Sequence, residues 1–293
     1  MKRLEIINKT KIWLGFSAFL IVVSLIGIIK GLNLGIDFTG GSLVQVKFEK
    51  QADLKTLNNV FDEISNEISQ VASTSRKVQI ADDNSVIIRV PELTEEETGT
   101  LLKKLEEKYS KFDLLKVDKV GATIGKELKT SAISALIIGA ILIVIYITIR
   151  FEFIFAIAAI IALLHDVIIA IGGIALLGYE VNTPFIAAVL TILGYSINDT
   201  IVVFDRIREV YRRNKARNLG EIIDESINDV IVRSINTSLT TFLAVVAILL
   251  FGGASLQTFI TTLLIGIVSG TYSSIFVASP LVYLFEKNKK IKV

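Results

Sequence analysis

Long apolar runs separated by polar connections cover most of this chain. Six runs of about 18 residues or more are apolar enough to cross a bilayer. They comprise residues 12–29, 131–149, 154–177, 184–204, 234–251 and 259–285. The first run is long for the core of a signal peptide, and no small-residue cleavage site follows it, so we interpret it as a retained helix. The short connections between later runs predict a six-helix membrane bundle packed in antiparallel hairpins.

A polar stretch of roughly 100 residues between the first two runs is long enough to fold as a separate domain. Alternating apolar positions predict strands, and helical spacing predicts helices, the second opening with a capping box at Thr94 and Glu97. The predicted strands are 42–49, 77–80, 85–90 and 112–120, the helices are 52–71 and 94–109, and a hairpin turn is predicted at Asp82, Asp83 and Asn84. This βαββαβ order predicts an external α+β domain of ferredoxin-like type.

The predicted organisation therefore has three parts. Residues 1–30 form the N-terminus and first helix, residues 31–129 the external domain, and residues 130–293 the remaining five helices with a cytoplasmic loop at 205–233. Within that loop we expect an interfacial helix, since Ile222, Ile223, Ile227 and Val230 share one face.

The distribution of basic residues predicts orientation in the cell membrane. Lys and Arg lie near both termini, between the second and third apolar runs, and between the fourth and fifth. The short loops 178–183 and 252–258 contain none. By the positive-inside rule both termini are cytoplasmic and the large loop is external. The net charge of +2 gives no indication of a nucleic-acid partner, and the absence of cysteine excludes disulfides and thiolate metal sites.

A glycine-rich segment, GIDFTGGSLV at residues 35–44, invites comparison with a phosphate-binding loop. It lacks the GK[ST] ending and precedes a strand, whereas phosphate loops open a helix. We interpret it as a turn that enters the strand, and we predict no nucleotide, cofactor or metal.

Polar residues inside the fourth apolar run are the strongest functional signal. Asn198 and Asp199 interrupt the stretch LGYSINDTIVVFDRIR at residues 193–208. A carboxylate near the middle of a membrane helix costs about 2.5–3.5 kcal/mol on insertion scales, so such residues usually face a bundle interior. Asp199 with Asn198 is either a relay for protons or ions, or a structural hydrogen bond between helices.

Three further residues are weaker candidates. Asp166 lies about 20 Å into the third helix, and it can serve in a relay or stay protonated and structural. Its neighbour His165, the sole histidine, fits a packed side chain better than a relay member. Arg233 opens the fifth run and can snorkel outward or reach inward toward Asp199.

At this point the sequence resembles a known family. The stretches RFEF (150–153), ALLHDV (162–167), FIAAVLTILGYSINDTIVVFDRIRE (185–209), NTSLTT (236–241) and GIDFTGGSLVQV (35–46) resemble the SecF family of protein-export subunits. The resemblance implies a bundle of RND type, with the family's intramembrane aspartate and arginine at Asp199 and Arg233. Two departures are Ala122, where the family usually has proline, and the apolar Val230 and Ile231 following Asp229.

The resemblance also implies partners and an activity. It implies a non-enzymatic accessory subunit that pairs with SecD, joins the SecYEG channel and a YajC-type subunit, and uses a proton or sodium gradient to promote late translocation and release of exported preproteins. A non-motor assembly or chaperone factor is the alternative. An intramembrane aspartyl hydrolase is disfavoured because LLHD and SIND lack the motifs of that class, and a small-molecule transporter because one small external domain offers no obvious vestibule.

Overall fold

The computed structural model describes residues 4–49, 51–80, 85–213, 216–253 and 256–286. The chain forms two compact units, one of residues Leu34–Ile133 and one that combines Met1–Asn33 with Ser134–Val293. The predicted turn at Asp82, Asp83 and Asn84 lies outside the described residues.

The chain begins with a 3-10 turn (Ile7–Lys9) and the long helix α1 (Thr10–Lys30). Two short elements follow, β1 (Asn33–Leu34) and α2 (Ile36–Thr39). Gly40 and Gly41 then have φ of 71° and 121°, and β2 begins at Gly41. A Cβ on Gly41 would lie 2.5 Å from the Val90 carbonyl oxygen, so only glycine fits there. The glycine-rich segment is therefore a strand-entry turn, as predicted.

The smaller unit has the predicted ferredoxin-like topology. Its elements are β2 (Gly41–Phe48), α3 (Leu54–Ile64), a 3-10 turn (Ser69–Val71), β3 (Lys77–Ile80), β4 (Ser85–Val90), α4 (Glu95–Lys108) and β5 (Phe112–Val120). The sheet order is β3-β4-β2-β5, and every neighbouring pair is antiparallel. Both helices bury apolar side chains against the sheet, with Val44, Phe61 and Leu105 fully buried in one cluster.

The first helix of this unit is shorter than the predicted 52–71. It is capped by Asp53, whose carboxylate accepts from the Thr56 backbone N–H at 2.9 Å, but it ends at Ile64. There Ser65 Oγ donates to the Asp62 carbonyl at 2.6 Å and Asn66 Nδ2 donates to the Glu63 carbonyl at 3.2 Å. Side chains that bond to nearby backbone compete with helix continuation, which the apolar spacing alone does not reveal.

The larger unit contains the apolar runs. Its elements after the smaller unit are α5 (Ala122–Arg150), α6 (Phe153–Leu177), β6 (Glu180–Val181), α7 (Thr183–Arg213), α8 (Leu219–Phe251), α9 (Gln257–Ser273), a π-helical turn (Ser274–Ala278) and α10 (Ser279–Glu286). The last three form one span, so six helices are long and apolar enough to cross a membrane. This confirms a multi-pass membrane protein.

Close helix packing depends on small residues. Helix α6 packs on α1 and α9, and α9 packs on α7. At Gly172 a Cβ would lie 2.3 Å from the Ser24 Cβ of α1, and at Gly266 it would lie 2.2 Å from the Ile192 side chain of α7. Glycine therefore sets these helix separations. Gly194 of α7 does not set a helix separation, because a Cβ added there would meet no heavy atom of the described residues within 4 Å.

The separate interfacial helix expected within 205–233 is absent from the described residues of that segment. Instead α7 continues to Arg213 and α8 begins at Leu219, so both membrane helices extend through the charged region. Ile222, Ile223 and Ile227 are fully buried in the main core of the larger unit. Their apolar face packs on neighbouring helices rather than on a lipid surface, a distinction that amphipathic spacing cannot make.

Replacing Gly172 by Val is expected to destabilise the protein by about 1–3 kcal/mol, because the added atoms overlap the Ser24 backbone. Thermal unfolding of the purified chain measures the change. Gly15→Val in α1 is the matched control, since a Cβ at that position would meet no described heavy atom within 4 Å. An equal loss of stability in the two variants would contradict the role of Gly172 as a contact.

Replacing Thr94 by Ala is expected to destabilise the smaller unit by about 1 kcal/mol. Thr94 Oγ1 accepts from the Glu97 N–H at 3.2 Å, and Glu97 Oε2 accepts from the Thr94 N–H at 2.7 Å, as the sequence predicted. Hydrogen bonds from Thr94 also lower the pKa of Glu97. A lowered folded-state pKa contributes stability above the unfolded pKa and loses it as pH falls. The alanine variant keeps the Thr94 backbone N–H and loses only the hydroxyl, so denaturant unfolding should show the deficit at neutral and acidic pH alike, slightly smaller at acidic pH.

Candidate functional site

Asp166 lies at the centre of the bundle, fully buried on α6. Four side chains surround its carboxylate. Ser196 Oγ and Ser273 Oγ donate to Oδ2 at 2.5 and 2.6 Å, Ser269 Oγ donates to Oδ1 at 2.6 Å, and His165 Nδ1 lies 2.8 Å from Oδ1. The donors come from α6, α7 and α9. A buried carboxylate is tolerated in an apolar interior when it is satisfied in this way.

His165 connects this centre to α1. Its side chain is buried, and its Nε2 has no hydrogen-bond partner among the described residues. The ring stacks on Tyr272 with centroids 6.2 Å apart. Tyr272 donates its hydroxyl to the Trp13 carbonyl at 2.9 Å and accepts from Ser17 Oγ at 3.1 Å. His165 is thus a packed side chain whose ring nitrogen orients toward Asp166.

Asp199 occupies a different environment on α7. It is 5% exposed, and Ser238 Oγ of α8 donates to its Oδ2 at 3.3 Å. Thr271 Oγ1 of α9 donates to Ser238 Oγ at 2.6 Å, so three helices meet here as well. The carboxylate has one long hydrogen bond where Asp166 has four short contacts.

The two other predicted site residues face outward. Asn198 is exposed on α7, one position before Asp199. Arg233 is exposed on α8 and makes no ion pair with any residue in the described ranges. Asp199 and Ser238 therefore meet inside the bundle, while Asn198 and Arg233 lie on its surface.

Helix α9 takes part in both polar networks. Ser269 and Ser273 donate to Asp166, while Thr271 on another face reaches Ser238 beside Asp199. The two carboxylates share no hydrogen bond in the described part of the bundle. Asp166 and Asp199 are therefore not arranged as a dyad that shares a proton. The π-helical turn begins at Ser274, directly after Ser273.

Ser238 and Thr271 also line an apolar cavity of about 410 Å³ between α8 and α9. Tyr272 and Phe276 form part of its wall. The hydroxyl groups next to Asp199 are therefore close to space that is open to the outside of this bundle. Within the described residues, no group of three or more His, Asp or Glu side chains is arranged to hold a metal.

Comparison with known proteins identifies the family. The family description "Protein export membrane protein SecD/SecF, C-terminal" matches residues 100–288, and "SecD/SecF GG Motif" matches residues 26–52. The protein translocase subunit SecF of Sebaldella termitidis is 49% identical, over 98% of this chain and 93% of that protein. The chain belongs to the SecF family.

Further SecF relatives and a solved structure agree. SecF of Calditerrivibrio nitroreducens is 43% identical over 98% of this chain and 95% of its own length. The crystal structure of SecDF, a translocon-associated membrane protein from Thermus thermophilus, has a TM-score of 0.90 and 34% identity. It matches 98% of this chain, which spans 39% of the SecDF chain. The SecF relatives are named as translocase subunits, so this chain is an accessory subunit of the Sec protein translocase.

The sequence interpretation missed the hydroxyl donors of both networks. Ser269 and Ser273 are four residues apart and therefore share a helix face. That spacing was a usable signal, but Ser and Thr are frequent in membrane helices. Ser238 lies in the NTSLTT stretch at residues 236–241, in which Thr237, Thr240 and Thr241 donate to backbone carbonyls of their own helix.

Replacing Ser273 by Ala is expected to destabilise the bundle by about 1–3 kcal/mol, because it removes a donor from a fully buried carboxylate. Thermal unfolding in detergent measures the effect. Ser131→Ala, at an exposed position of α5, is the control and should change stability little. If the two variants unfold at the same temperature, the Ser273 hydrogen bond does not support the bundle.

Proposed function

We propose that this chain works with SecD as one membrane unit that uses an ion gradient to promote late translocation and release of exported polypeptides. Membership of the SecF family supports the translocase role, and the likeness to a chain named SecDF supports the SecD partnership. We infer the gradient coupling from the surroundings of Asp199. Its carboxylate is 5% exposed and has a single hydrogen bond, of 3.3 Å, among the described residues.

The outward-facing polar residues support a partner bundle. Several exposed positions within the membrane helices are polar, which would be costly against lipid. They are Thr191, Asn198, Arg233, Asn236 and Thr240. These residues belong to α7 and α8, the two helices that hold Asp199 and Ser238. A second bundle from SecD, packed on this surface, would cover them and complete the surroundings of Asp199.

The two buried aspartates have different proposed roles. The four contacts to Asp166 hold a carboxylate in place and make it an anchor for α6, α7 and α9. Asp199 has little to hold it in one state, so protonation or ion binding can change its pairing with Ser238. With Arg233 and Asn198 on the adjoining surface, Asp199 is the proposed switch of the relay. The driving ion in this proposal is a proton or a sodium ion.

The available energy suffices for such a switch. One proton crossing 100 mV releases about 2.3 kcal/mol, which shifts a two-state equilibrium roughly fifty-fold. A change at Ser238 is passed to α9 through Thr271, and Tyr272 of α9 contacts Trp13 and Ser17 of α1. Helix α1 precedes the external domain in the chain, so this route leads toward the part proposed to act on polypeptide.

The proposed orientation rests on the distribution of the basic residues along the chain. It has both termini in the cytoplasm and the ferredoxin-like domain outside. SecYEG, a YajC-type subunit and exported preproteins are the remaining proposed partners.

A non-motor assembly factor is the second candidate for the function, and it is favoured by the structural character of the Asp166 network. The two candidates differ in one respect, since only the first requires gradient dependence through Asp199.

Replacing Asp199 by Asn is expected to abolish the gradient-dependent part of translocation, because the amide cannot gain or lose a proton. The measurement is import of a signal-bearing preprotein into inverted vesicles that contain the partner subunits, after ATP-driven insertion has stopped. Each variant is measured with and without an ionophore. Asp113→Asn, on strand β5 of the external domain, controls for the substitution itself and should behave as wild type.

Co-purification of SecD with each variant separates loss of coupling from loss of assembly. If wild type and Asp199→Asn respond equally to the ionophore while SecD binding is intact, Asp199 is structural and the assembly-factor role is preferred.

A further inference from the structure

A basic cavity of about 470 Å³ lies beside the C-terminal end of α5 and the charged extension of α7. Its lining consists of Arg150, Asp205, Arg208, Glu209, Arg212 and Arg213. Four guanidinium groups and two carboxylates face this space, so the lining carries an excess of positive charge. The gradient mechanism proposed above does not use these residues.

Two of the guanidinium groups are held in place by a buried ring. Arg150 and Arg208 lie over Phe151, with their Cζ atoms 5.2 and 5.8 Å from the ring centroid. Phe151 is 5% exposed and packs edge-on against Phe204. Arg150 also donates from Nη2 to both carboxylate oxygens of Asp205, at 2.8 and 3.0 Å. The basic cavity is therefore organised before any ligand arrives.

Donor capacity remains unused in this cavity. Arg208 Nε is buried without a hydrogen-bond partner among the described residues, and Arg208 lies 3.9 Å from Asp205. Arg212 makes no ion pair or hydrogen bond within the described part of the chain. Glu152 faces both of these arginines, and burial raises the pKa of its carboxyl. The lining itself has four positive and two negative groups; Glu152 adds a third negative group that interacts with Arg208 and Arg212, and Glu286 in turn acts on Glu152.

Exposed apolar side chains flank the cavity on the α5–α6 connection. Ile149 is 82% exposed and Phe153 is 73% exposed, one on either side of Arg150–Glu152. Exposed apolar side chains of this kind are suited to contact with acyl chains. Guanidinium groups recognise phosphate oxygens by paired N–H donors. A ligand that joins a phosphate to acyl chains would satisfy both features at once.

We propose that the basic cavity binds the phosphate of an anionic membrane phospholipid, with its acyl chains against Ile149 and Phe153. Soluble phosphate esters share the phosphate chemistry, but they would leave the apolar flanks uncovered. Bound at this position, the lipid links the α5–α6 connection to the extension of α7, which is the helix that contains Asp199.

The test uses the purified full-length chain in detergent, with phosphatidylglycerol added and retained lipid counted by native mass spectrometry. Arg212→Gln is expected to lower lipid affinity about fivefold, since one basic residue near an anionic lipid contributes about 1 kcal/mol. Lys11→Gln, at an exposed basic position of α1 without an ion pair among the described residues, is the matched control and should retain lipid. Arg212→Lys should recover part of the binding, and unfolding temperatures verify that each variant is folded.

Two further arms distinguish the source of the phosphate. Phosphatidylethanolamine should bind more weakly than phosphatidylglycerol, and inorganic phosphate at millimolar concentration should not displace the lipid. The proposal is overturned if the Arg212 and Lys11 variants lose lipid equally, or if the two lipids bind alike. Displacement by inorganic phosphate would instead assign the cavity to a soluble phosphate.

Discussion

The burial of the Asp166 carboxylate is the interaction on which the larger unit depends. A buried carboxyl group without hydrogen-bond partners would be costly in this interior, and the hydroxyl donors on α7 and α9 supply those partners. Because the donors must come within hydrogen-bond distance, three helices are fixed relative to one another around this point. Asp199, on the adjacent helix, has one hydrogen bond in place of four contacts. Burial alone therefore does not separate the two carboxylates, whereas the number and length of their hydrogen bonds do.

Much of this architecture could be predicted from the sequence because its signals are strong and local. The six apolar runs and the capping box at Thr94 needed no tertiary information. The helix ends were less predictable, since α7 and α8 extend well beyond their apolar parts into charged sequence. The buried face of Ile222, Ile223 and Ile227 has the same spacing as an interfacial helix. Only the neighbouring helices show which of the two it is.

In the polar sites, the carboxylates could be predicted from the sequence but their hydrogen-bond donors could not. Asp166 and Asp199 are conspicuous because carboxylates are rare in membrane helices. Their donors are serines, which hydrogen-bond to their own helix unless a partner from another helix is within reach. Ser238 and Thr237 are adjacent in sequence, yet Ser238 donates to Asp199 and Thr237 to its own helix backbone. The difference arises from which side of α8 faces α7, and this is fixed only when the bundle is assembled.

The sixth span is interrupted directly after the segment that holds donors to both polar networks. The wide π-helical turn begins at Ser274, whose Oγ donates to the Gly270 carbonyl at 2.8 Å, and Ser279 Oγ donates to the Ser274 carbonyl at 3.0 Å. Hydroxyl groups thus add bonds to helix carbonyls at the point where the helix widens. A helix interrupted in this way can adjust on one side without moving as a single rod. Since α9 precedes the turn and holds donors to both networks, a change at Asp199 that moves α9 would also reach the Asp166 network, while α10 can remain packed.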